Sequence, residues 1–121
     1  MLKVIAILVL SSKLNVAVET PSGWAEATFP NTAAGAEQLV AFAESSVGDP
    51  PNGVRVVVGS LGDDLNQSHI IEFLASAGVK HGLVEPGDVA AAAAKHNLNL
   101  ESALAVAKAD EERFGFLYRR R

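Results

Sequence analysis

Three acidic side chains are the strongest candidates for chemistry in this sequence: Asp63 and Asp64, side by side, and Glu85. Carboxylate oxygens are the ligands Mg²⁺ prefers, and converging carboxylates can hold the paired ions of phosphoryl-transfer enzymes. Both acidic positions fall just beyond the carboxyl ends of runs that read as neighbouring parallel strands, where open α/β sheets bind ligands. Asp63, Asp64 and Glu85 therefore define one candidate metal site, suited to a nuclease or phosphohydrolase. A plainer role competes with it. Asp63-Asp64 also suits the first turn of a helix, where negative charge is favourable, and Glu85 suits a solvated loop. The plainer role is preferred, so no catalytic residue, metal or other cofactor is assigned.

Other motifs are weaker. Gly59-Ser60-Leu61-Gly62 joins a strand to a helix start, the geometry that cradles phosphates. It lacks the Lys-Ser/Thr of a nucleotide loop and has two aspartates behind it, so it reads as a tight turn. His69, His81 and His96 contain no i, i+4 pair, and a zinc site would have to be assembled from distant positions. His96 instead suits a helix carboxyl end. Trp24 and Phe29 could stack on bases, but Glu19 and Glu26 surround them, so packed edge-strand aromatics are expected. Arg119, Arg120 and Arg121 are the candidate nucleic-acid contacts; three charges alone give weak, salt-sensitive binding, and a solvated tail is the default.

The whole chain has 121 residues, 49% of them apolar, which fits one domain over 1–118 followed by the basic tail at 119–121. Lacking cysteine, it has no disulfides, thiol nucleophile or Cys-type zinc site. Net charge is -4 and becomes about -7 without the terminal arginines, a poor footprint for a phosphate backbone. The apolar run from Met1 to Leu10 is too short to span a bilayer, so a cytoplasmic protein with no membrane partner is expected.

Hydrophobic periodicity supplies the elements. Residues 2–10 are apolar at both parities, as in a strand covered on both faces. Residues 14–19 alternate, with Leu14, Val16 and Val18 inward, and 24–29 return as a solvated edge strand after the turn at Pro21-Ser22-Gly23. A helix over 33–47 is capped by Asn31 or Thr32, and a loop covers 48–53. A strand at 54–58 leads into a helix that begins at Asp63-Asp64, buries Ile70, Phe73, Leu74 and Ala77, and stops at Gly78. A strand at 79–84 precedes helices over 87–96 and 100–113, the latter with Leu100, Ala103, Leu104 and Ala107 inward. Phe114 to Tyr118 is apolar and expected to dock. The predicted fold is α/β: a mixed five-stranded sheet in the order 3-2-1-4-5, with an antiparallel β1–β3 meander and helices on both faces, the ribonuclease-H-like architecture.

Four segments carry a family resemblance. Ala6 to Val18 is similar, without gaps, to G-I-D-V-S-K-x-x-L-D-V-A-V, and Phe29 to Gly35 to F-x-N-T-x-x-G. Val57 to Gly62 is similar to V-x-E-A-T-G, and Phe73 to Gly78 with Leu83 to Pro86 to F-L-A-x-A-G-x-x-V-x-x-V-x-P. In this order and spacing they resemble the amino-terminal, RuvC-like domain of DEDD transposases and Piv-type invertases of bacterial insertion elements. The resemblance implies carboxylates on the first strand, the fourth strand and a late helix that hold two Mg²⁺ ions for DNA recombination. Here the first aspartate falls on Leu8, the glutamate on Gly59 and the lysine after the first strand on Ser11. The late K-T-D-x-x-D-A motif falls on 101–110, with only Glu101 or Asp110 as shifted remnants. The expectation is a degenerate, truncated relative: a catalytically inactive binding or regulatory module. The resemblance also implies nucleic acid and a homodimer as partners. A nuclease or phosphohydrolase with a relocated carboxylate site, and a self-associating interaction module, are the alternatives.

Overall fold

A short β-branched run that is apolar at both parities suits a strand covered on both sides. In the computed structural model, which describes residues 3–20, 22–47, 54–62 and 69–113, that strand is β1 (Lys3–Val9), buried from Val4 through Val9 at the centre of the sheet. It pairs antiparallel with β2 (Lys13–Thr20), which pairs antiparallel with β3 (Gly23–Pro30). On its other side β1 pairs parallel with β4 (Val54–Ser60), and β4 with β5 (His81–Val84). The sheet order is β3-β2-β1-β4-β5, as the element order predicts.

Side-chain alternation divides the core between two faces. Ile5, Ile7 and Val9 with Val56 and Val58 meet α1 (Ala33–Val47) and α2 (His69–Ser76). Val4, Ala6, Leu8 and Val57 meet α3 (Pro86–Lys95) and α4 (Leu104–Arg113). Thr32 caps α1, its Oγ1 accepting the Gly35 N–H at 3.0 Å. Asn31 acts differently, since its Nδ2 donates to the Leu10 carbonyl at 2.9 Å and ties the β1–β2 turn to the start of α1. Gly35 is required where α1 crosses the end of β3, because a Cβ there would lie 1.8 Å from the Pro30 carbonyl oxygen. Gly78, at φ 71°, ends α2 in a Schellman pair, with Val79 N–H donating to Leu74 and Gly78 N–H to Ala75.

Two local expectations need correction. The last helix begins at Leu104 rather than near 100, and Leu100 is 52% exposed instead of inward. Asn97 turns left-handed after α3, Asn99 Oδ1 accepts the Glu101 N–H, and Ser102 Oγ accepts the Leu104 N–H. Those side-chain bonds offer the backbone turns in place of a helix. Ala77 is exposed, since α2 has ended before it. The expected loop at 48–53, the helix start at Asp63-Asp64, and the stretch from Phe114 to Arg121 lie outside the described residues.

Candidate functional site

The two strand positions at which the resemblance implies metal ligands lie side by side. Leu8 and Gly59 are register partners on β1 and β4, and Gly59 pairs in turn with Val84 of β5. Leu8 is fully buried on the face covered by α3 and α4. A Cβ on Gly59 would lie 3.1 Å from Val106 of α4 and 3.1 Å from Val89 of α3, both fully buried. Helix methyl groups thus press directly on the sheet where the missing side chain would stand. Mg²⁺ demands an octahedral set of oxygens at about 2.0–2.1 Å. Leu8, Gly59, Val84, Val89 and Val106 offer none from their side chains, so the residues present do not fit the metal pair that the resemblance implies.

The acids of the late segment are committed elsewhere. Glu101 Oε1 pairs with Lys13 Nζ at 2.8 Å, and the Glu101 carbonyl accepts from Asn15 Nδ2 at 2.5 Å. Asp110 is buried and accepts two bonds from Arg55, from Nε and from one terminal nitrogen, each at 2.6 Å. Arg55 shares a face of β4 with Gly59 but stands four residues earlier, roughly 13 Å along the strand. Asp110 is therefore a structural partner at the opposite end of the sheet from Gly59. Sequence reasoning missed this pair, although Arg55 is a single charge inside an otherwise apolar strand.

Of the relocated metal site, Glu85 is described and Asp63 and Asp64 lie outside the described residues. Glu85 is exposed at the amino-terminal cap of α3, and its side chain makes no capping bond. Ser60 Oγ donates to the Gly62 carbonyl at 2.7 Å, closing the turn expected of Gly59 to Gly62. The histidines are dispersed: His69 opens α2, His81 Nδ1 lies 3.2 Å from the Val79 carbonyl, and His96 caps α3. His96 Nε2 and Lys95 Nζ both approach Glu112 of α4, at 3.3 and 3.2 Å. The Lys95 hydrogen bond above all, opposed by desolvation and aided by the His96 hydrogen bond, holds the Glu112 carboxyl below its ordinary range. Among the described residues, no three His, Asp or Glu side chains gather as a metal would need.

Trp24 and Phe29 cannot form one stacking platform. They differ in parity along β3, so their side chains point to opposite faces. Phe29 packs on Phe42 of α1, ring centres 5.8 Å apart, whereas Trp24 shares the other face with Glu26 and stays 38% exposed. Arg119, Arg120 and Arg121 lie outside the described residues.

A polar crevice of about 300 Å³ does open at the carboxyl ends of β1 and β4, lined by Ser11, Ser12, Lys13, Leu61, Gly62 and Glu101. The Lys13–Glu101 pair neutralises its charge. No described helix is long and apolar enough to cross a membrane. No protein-family model matches the chain, and no curated protein matches it significantly in sequence.

Proposed function

We propose that this chain is a non-catalytic relative of the RuvC-like domain of DEDD transposases, kept as a binding or regulatory module in the cytoplasm. One observation carries the reading: Leu8 and Gly59, neighbours in the sheet, are sealed by Val89 and Val106 where a nuclease of this architecture needs carboxylates and water. The dispersal of the remaining acids supports it. Asp110 holds Arg55, Glu101 holds Lys13, and Glu85 is exposed at the amino-terminal cap of α3. Without oxygen ligands no cation would be held there to lower the pKa of water or to stabilise a leaving oxygen.

The test is incubation with single-stranded, duplex and branched DNA in Mg²⁺ or Mn²⁺. No cleavage above a metal-free control is expected; nicking that EDTA abolishes would refute the reading. Partners belong to the same proposal. The resemblance favours a homodimer, which sedimentation at high concentration checks directly, a clean monomer counting against it. Any contact with nucleic acid must work against a net charge of -4, so it would be weak and salt-sensitive.

A further inference from the structure

β3 forms one outer edge of the described sheet, and β2 pairs with it residue for residue from Gly23 to Pro30, without a bulge. It is eight residues long, whereas β5 at the opposite edge has four. A long, flat edge is a template for strand addition unless charges, bulges or proline guard it. Within β3 only Glu26 carries charge, and Pro30 stands at the very end.

The two faces of this edge differ in chemistry. Trp24 and Glu26 share one face, and Glu19 of β2 is the register partner of Trp24. Trp24, 38% exposed, thus has one carboxylate across from it and another two residues along. Glu26 is exposed and takes a long bond from Ser102 Oγ at 3.4 Å. The indole face attracts cations, as both carboxylates do. On the other face Ala25, Ala27 and Phe29 are half-buried, and Ala27 and Phe29 pack against the cluster beneath α1. Such an edge selects an added strand by alternation, basic side chains on one face and apolar ones on the other. A second copy of β3 does not meet this rule, because Gly-Trp-Ala-Glu-Ala-Thr-Phe-Pro has no Lys or Arg to offer Glu26.

We propose that β3 binds an extended basic segment of a partner protein by strand addition. An Arg or Lys of that segment lies over Trp24 beside Glu19 and Glu26, and its alternate apolar residues continue the row of Ala25, Ala27 and Phe29. The proposal goes beyond the non-catalytic reading and holds whether or not the domain cleaves nucleic acid.

Trp24 is the chain's single tryptophan, so its emission reports on this edge without background. Titrating the full chain with a peptide of four Arg-Val repeats should change that emission saturably, and a peptide of four Glu-Val repeats should not. Replacing both carboxylates, Glu19→Gln with Glu26→Gln, should weaken binding about tenfold, since two cross-strand charge pairs are lost. Methylating every second backbone nitrogen of the Arg-Val peptide separates strand addition from plain charge attraction. One alternate set should abolish binding and the other should leave it, because only one set of N–H groups faces β3. Unchanged Trp24 emission, an equal response to the Glu-Val peptide, undiminished binding by the Gln variant or indifference to both methylated sets would each overturn the proposal. So would a shift in Trp24 emission on diluting the chain alone, the mark of β3 pairing with a second copy.

Discussion

Leu8 and Asp110 mark the two extremes of what a buried position can hold. Leu8 sits fully buried in the apolar cluster that the sheet forms with α3 and α4. Leu8→Asp, which installs the acidic residue of the motif that this strand resembles, should lower stability by about 4 kcal/mol or more, because a buried unpaired carboxylate must stay neutral or unfold its surroundings. Urea denaturation at neutral pH measures this, and near-native stability would show that the layer admits water or a cation. Asp110 is as well buried but answered by a bidentate guanidinium. Such a pair is weak evidence for net stabilisation, yet removing one partner strands the other. Asp110→Ala should therefore cost about 3 kcal/mol in the same measurement. A change below about 1 kcal/mol would mean that Arg55 finds another partner or water.

At the scale of elements, the contact between α3 and α4 has a pH-dependent fastening. Lys95 and His96 at the end of α3 meet Glu112 near the end of α4. The folded state holds the Glu112 carboxyl below its ordinary value of 4.5, so its contribution is complete above that value. It fades as the pH falls from there through the lower, folded-state value. Glu112→Gln should flatten this part of the acid limb, with a small, salt-screened effect because the pair is exposed. Thermal melts from pH 3 to 6 in low and high salt check this; an unchanged acid limb would contradict it. The sheet itself was legible because burial leaves a periodic signature: both parities apolar from Val4 to Val9, and the large apolar side chains on one parity in 13–20. The start of α4 was not. Leu100, Ala103, Leu104 and Ala107 satisfy a helical stripe, but Asn99 and Ser102 divert the backbone through bonds that the stripe does not register. The Arg55–Asp110 pair was hidden for a different reason: its members are 55 residues apart and leave no local pattern.

For the whole molecule, five strands place the ends of β1 and β4 together, and the same topology could serve a metal-dependent enzyme or an inert scaffold. Side chains at two register partners decide between them. That Leu8 and Gly59 stand where the resemblance implies carboxylates was readable residue by residue from the sequence. Their closure beneath Val89 and Val106 was not, because it depends on how two later helices settle on the sheet. The most direct measurement is a Mn²⁺ titration followed through the methyl resonances of Leu8, Val89 and Val106. A site sealed by apolar side chains predicts that stoichiometric Mn²⁺ leaves these signals sharp. Selective broadening of all three, reversed by EDTA, would place a cation between β1 and β4 and contradict the proposal of a non-catalytic domain.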